Sequence, residues 1–130
     1  MNLIEQIADH MEFCGLGVCA TLEHEGDLYW GQMPESPDAA VCVFSTDTAY
    51  PGSTSGARIQ IMCRGTVGDA RTPYERACAI TDELGDFLGF LSGDGPYARI
   101  EVTNSAQGVG LDTRGRHIYV SNYRVYYCDY

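Results

Sequence analysis

The chain has no lysine, a single tryptophan and no apolar run approaching the roughly 20 residues that span a bilayer. All eight basic residues are arginine, set against 18 acidic ones, for a net charge of −10. That balance argues against a DNA-reading surface, which needs clustered cations over the phosphates. Arginine without lysine suits fixed, bidentate contacts at interfaces. The opening residues MNLIEQIADHM are amphipathic and acidic, without the basic start and apolar centre of a signal peptide, so a soluble, cytoplasmic chain is expected.

Motifs of chemistry are also missing. There is no C-x-x-C pair, no H-E-x-x-H, no G-x-S-x-G and no phosphate-binding loop. His10, His24 and His117 are scattered, and each reads as a surface residue. Asp82, Glu83 and Asp86 read as the solvated face of a helix rather than a metal site. Six cysteines (Cys14, Cys19, Cys42, Cys63, Cys78 and Cys128) are many for this length, and they read as free thiols serving as small core hydrophobes. No enzyme, metal or cofactor is implied.

What is present is enough apolar residue, 45%, for one domain with a sizeable core. Its centre is Ala57 to Ser92. Ile59, Ile61 and Cys63 alternate with Gln60, Met62 and Arg64, the period of a half-buried strand. Thr72 is expected as a helix N-cap, with Pro73 in the first turn and Glu75 closing a capping box. Ala77, Ile80, Leu84, Phe87, Leu88 and Leu91 then share a helical face, and Gly93 is the expected stop.

The flanking segments read in order. Asn2 caps a first helix carrying Leu3, Ile4, Ile7, Ala8 and Met11, ended by Gly15-Leu16-Gly17. Val18–Leu22 and Leu28–Gln32 read as a hairpin about a turn at His24–Asp27. After the prolines at 34 and 37 comes an apolar strand, Ala39–Phe44, and then a long polar loop from Thr46 to Gly56 with Tyr50 near its centre. Tyr97–Thr103 is another strand, Asn104–Arg116 a second glycine-bearing loop, and His117–Tyr130 a last strand holding five of the nine tyrosines. Tyrosine suits both a half-buried strand and a protein interface. The order of elements is that of an α+β fold, a mostly antiparallel sheet flanked by helices on one side.

These pieces resemble a family. The strand ending QIMCRG, the helix segment YERACAITDELGDFL and the close GVGLDTRGRHIYVSNYRVYY are similar to the minor capsid proteins of tailed phages and prophages of Gram-positive bacteria, which are like tail terminator proteins. The resemblance implies a structural, non-enzymatic protein of the virion, assembled in the host cytoplasm. It would form a ring, a hexamer, that ends the tail tube and joins it to the head. Its partners would be copies of itself, the tail tube protein and a head-completion or connector protein, with DNA only passing through an acidic lumen. Under that reading Tyr50, Arg64, Asp112, Arg114, Arg116, Tyr123 and Arg124 are the candidate subunit or partner contacts. Arginine in a ring would pair with a neighbour's carboxylates. The alternative is a small α+β ligand-binding or enzymatic domain using the Gly-rich loops.

Overall fold

A computed structural model describes residues 2–45 and 56–127. The first helix, α1 (Leu3–Phe13), begins where the Asn2 side chain accepts the Glu5 N–H at 2.8 Å, and it buries Ile7, Ala8, His10 and Met11. The strands are β1 (Leu28–Trp30), β2 (Ala40–Ser45), β3 (Ala57–Val67), β4 (Leu88–Phe90), β5 (Tyr97–Leu111) and β6 (Arg116–Tyr127). The second helix, α2 (Arg71–Leu84), lies between β3 and β4, and a single 3-10 turn, Leu91–Gly93, follows β4.

The sheet order is β1-β2-β3-β6-β5-β4. Every neighbouring pair is antiparallel except β1 and β2. Register places one apolar face together, with Val41 beside Cys63, Val43 beside Ile61, Ile59 beside Tyr123 and Ile100 beside Val125. Ile7, Ala8 and Met11 of α1 and Ala77, Ile80 and Leu84 of α2 pack on that face in one cluster. Each of the larger aliphatics buried there contributes about 1.5–3 kcal/mol. The fold is α+β, as the pattern of elements predicts.

The differences from the sequence reading are local. Thr72 is not the cap of α2: the Asp69 carboxylate accepts the N–H groups of Arg71 at 3.0 Å and Thr72 at 3.1 Å, while Glu75 pairs with Arg71. α2 also stops at Leu84 rather than running to Leu91, because Gly85 is extended (φ −64, ψ 132) and Asp86 is left-handed (φ 60). Phe87, Leu88 and Leu91 therefore belong to the turn, the edge strand and the 3-10 turn beyond it.

Residues 18–22 make no hairpin with β1. They contribute one isolated parallel bridge, Cys19 to Leu28, and β1 pairs instead with β2. Residues 104–111 are not a loop but the second half of β5. Three register shifts absorb them, and Ala106 (φ 51) and Gly110 (φ 99) supply the left-handed backbone that bulges use. Five described cysteines are free thiols, with Cys42 and Cys63 buried. Burial pushes the Cys42 and Cys63 thiols up to about 12.

Candidate functional site

At the end of β3 a register shift between Arg64 and Val67 turns the strand. Across it, the hairpin of β5 and β6 closes through Asp112, whose N–H donates to the Arg116 carbonyl at 3.0 Å. The loop of residues 33–39, with a cis Ser36–Pro37 bond, lies over the sheet face opposite the helices at this end. Two arginines hold the three pieces together. Arg64 donates through Nε to the Asp38 carbonyl and through Nη2 to the Pro37 carbonyl, both at 2.8 Å. Arg116 donates through Nε to Asp112 Oδ2 at 2.7 Å, and through Nη1 to the Glu35 carbonyl at 2.8 Å and Asp38 Oδ1 at 3.0 Å. Arg64 is 6% exposed and Arg116 3%.

Buried guanidinium groups are retained only when paired and hydrogen-bonded. Here the planar fork of each is matched by acceptors that the loop brings from far along the chain. Burial, then the neighbouring Arg116, holds the Arg64 pKa below its ordinary value. The Asp112 carboxylate accepts the N–H groups of both Arg114 and Arg116, and the latter bond is the main reason its pKa is lowered. It stays ionised and keeps the turn closed.

The structure thus brings Arg64, Asp112, Arg114 and Arg116 to one end of the sheet. Arg114 is the outer member, 57% exposed, with Nη1 3.8 Å from Glu35. Tyr123 is elsewhere, in the core at 1% exposure, its hydroxyl 2.8 Å from Thr81 Oγ1. Arg124 lies on the sheet face away from the helices, in register with Arg58 and Glu101. It helps line a recess of about 330 Å³ with Arg58, Asn104 and Asn122. Tyr50 falls outside the described residues.

Sequence reasoning missed the acceptors Glu35 and Asp38, and it missed three exposed aliphatics around the clamp. Val67 is 64% exposed, Val109 58% and Leu111 59%. Val67 stands in register with Arg116, and Leu111 adjoins Asp112. Tyr74, 46% exposed, meets Tyr119 edge-on nearby, ring centroids 5.5 Å apart. The available signal was the run from Val102 to Leu111, which carries no charge in a chain of net charge −10.

His10, expected at the surface, is 2% exposed. Its Nδ1 accepts the Ser92 N–H at 2.8 Å, and its ring lies 4.5 Å from that of Phe87. Burial lowers its pKa, so it sits neutral as a tie between α1 and the 3-10 turn.

Among the described residues no three His, Cys, Asp or Glu side chains are placed to hold a metal ion, and no helix is long and apolar enough to cross a membrane. Arg71, Arg76, Arg99, Arg114 and Arg116 each lie within 2.7 to 3.8 Å of one of this chain's own carboxylates. Positive charge is therefore largely tied down within the fold. What the end of the sheet offers is a braced rim on which Val67, Val109 and Leu111 stand exposed.

No curated protein matches the chain. One solved structure is similar at 16% identity over 80% of this chain and 82% of its own, with a TM-score of 0.47, a likeness too distant to carry an argument. A family model described as bacteriophage tail terminator protein matches residues 15–127. That match takes in every described strand and α2, together with the arginine clamp. The chain belongs to the bacteriophage tail terminator family, as a structural component of the phage tail.

Proposed function

We propose that this protein assembles as a hexameric ring that ends the growing tail tube and joins it to the head. The observation that carries this is the family match from residue 15 to residue 127, which leaves only the segment of α1, residues 1–14, and the last three residues outside it. The braced end of the sheet fits such a role, because a ring subunit has to present fixed surfaces to its neighbours.

In this reading the residues of the clamp act from beneath the surface. Arg64, Asp112 and Arg116 hold the loop and hairpin in register, and Tyr123 anchors β6 to α2. Arg114 and Arg124 make the polar contacts with partner subunits, and Tyr50 contacts the tube. The partners are copies of this chain, the tail tube protein and a head-completion or connector protein. The net charge of −10 gives a lumen that repels passing DNA, which crosses it without sequence-specific binding. The role is structural and takes no cofactor.

The test is tube growth. Tube protein polymerised alone gives tubes of unrestrained length by electron microscopy. Added in small molar ratio, this protein is expected to arrest them, with density at one end only. Tubes that keep growing in its presence, with both ends bare, would overturn the assignment.

A further inference from the structure

His10 is sealed in the fold at 2% exposure, and its hydrogen bonds admit only the neutral ring. A backbone N–H can only donate, so the bond from the Ser92 N–H at 2.8 Å fixes Nδ1 as an acceptor. The ring proton therefore sits on Nε2, which faces Cys14 Sγ at 3.5 Å. A second proton has one place to go, Nδ1, and there it meets the Ser92 N–H donor to donor. The imidazolium cannot keep this bond, and without it a charge is left buried and unsatisfied.

The bond joins two elements of unequal strength. On one side is the last turn of α1. It is held by the Cys14 N–H on the His10 carbonyl and the Leu16 N–H on the Met11 carbonyl, both at 2.9 Å, and by the Cys19 N–H on the Glu12 carboxylate at 2.6 Å. On the other side is the 3-10 turn of three residues, Leu91–Gly93, in which Ser92 (φ 54) and Gly93 (φ 84) are left-handed. A serine stays in that region only where its surroundings hold it, and the bond to His10 is part of that support. Beside it lies a cleft of about 180 Å³ between α1 and the turn, lined by Gln6, Asp9, Ser92 and Asp94 among others.

Each element packed around the ring brings a different group. Phe13 of α1 stacks on it at 6.2 Å, and Phe87, just before β4, lies 4.5 Å away between ring centroids. Glu83 of α2 is the carboxylate whose charge favours the imidazolium, Cys14 brings a thiol, and Asp9 and Asp94 stand in the cleft beside Ser92. Burial outweighs Glu83 and lowers the His10 pKa.

We propose that protonation of His10 is a switch that lifts the Leu91–Gly93 turn from α1, so that this corner of the sheet opens in acid while β2, β3 and β6 stay paired. The switch is independent of the ring reading given above. The turn is closed within itself, by the Gly95 N–H on the Leu91 carbonyl at 2.7 Å and the Leu91 N–H on the Pro96 carbonyl at 2.9 Å, so it moves as a unit. It continues directly from β4, the edge strand on which Leu88 is 58% exposed, and its release loosens that edge. In the open state the ring titrates at its ordinary 6.5, and in the closed state lower, so acid favours opening. Between pH 7 and 5 the opening equilibrium rises by up to about 25-fold, the limit that an ordinary value of 6.5 sets.

Hydrogen exchange of the Ser92 amide reads the opening directly. It is followed by NMR on the whole chain from pH 7 to 5 and corrected for the intrinsic exchange rate. The expected result is a fall in Ser92 protection approaching about 25-fold, while the β3 amides of Ile59 and Ile61 keep theirs. In His10→Gln, whose side-chain carbonyl accepts the Ser92 N–H and does not titrate, Ser92 protection should stay level with pH. If that variant does not fold, the wild type decides alone, through Ser92 against β3. Level Ser92 protection in the wild type would overturn the proposal. So would Ser92 and the β3 amides losing protection together, which is unfolding and not a switch, or a folded His10→Gln that follows the wild-type curve.

Discussion

Replacing Arg116 with methionine removes a guanidinium that is 3% exposed and leaves three acceptors behind: Asp112 Oδ2, Asp38 Oδ1 and the Glu35 carbonyl. Hydrogen bonds to a charged group contribute roughly 1.5–3 kcal/mol each, and breaking a fully buried pair costs about 3–5 kcal/mol. The three bonds act as one unit, and the Asp112 and Asp38 side chains, 19% and 41% exposed, regain some water. The expected loss is therefore about 3 kcal/mol, toward the low end of the range for a buried pair. At about 2.1 cal/mol/K per residue, 1 kcal/mol shifts the midpoint of a 130-residue chain by about 4 °C, so Tm should fall by about 11 °C. Thermal unfolding followed by circular dichroism at pH 7 reads this directly. The control is Arg114→Met, which removes an exposed pair at 3.8 Å and should cost less than about 1 kcal/mol. If Arg116→Met fell no further than Arg114→Met, the clamp would not be holding this end of the sheet.

Three further outcomes follow from single residues. Burial holds His10 below its ordinary value of 6.5, against the charge of Glu83, so the unfolded chain binds more protons than the folded one as pH drops. Its contribution to stability is complete above pH 6.5 and is lost as pH falls below it; His10→Gln should flatten the change in Tm between pH 7 and 5, and an unaltered slope would refute the assignment. Tyr123→Phe deletes the hydroxyl that meets Thr81 Oγ1 at 2.8 Å and should cost about 0.5–1.5 kcal/mol in urea unfolding, whereas no change in midpoint would mean the bond is not made. The thiols of Cys42 and Cys63, buried and pushed up to about 12, should resist a thiol reagent in the native protein and react once it unfolds. Rapid native labelling at either would contradict their burial.

Where periodicity was strong and local, residue pattern and structure agree. Ile59, Ile61 and Cys63 read as the buried parity of a strand and are that in β3. Asn2 read as a cap and is one. The misreadings each have a physical source. Phe87, Leu88 and Leu91 continue the helical spacing of α2 by coincidence, since a left-handed Asp86 has already ended the helix and Leu88 lies on an exposed edge strand. Glycines and small polar residues at 104–111 look like loop, yet bulges accommodate them within β5.

The β1–β2 pairing and the acceptors that Arg64 and Arg116 find at Glu35, Pro37 and Asp38 depend on a loop that returns across the sheet. No local pattern encodes a partner 78 residues away, as Asp38 is from Arg116. The candidate contacts divide accordingly. Asp112, Arg114 and Arg116 are close in sequence and read together, whereas Arg64 joins them only through the fold. Tyr123 shows how an interface-prone residue type can serve the core, because strand parity points it at α2.

The most direct test of the account is the native mass of the purified protein, measured by light scattering over a range of protein concentration and salt. A ring of six predicts about 85 kDa, six times the 14.2 kDa chain, persisting on dilution or forming when tube protein is added. A mass of one chain at every concentration, unchanged by tube protein, would contradict it.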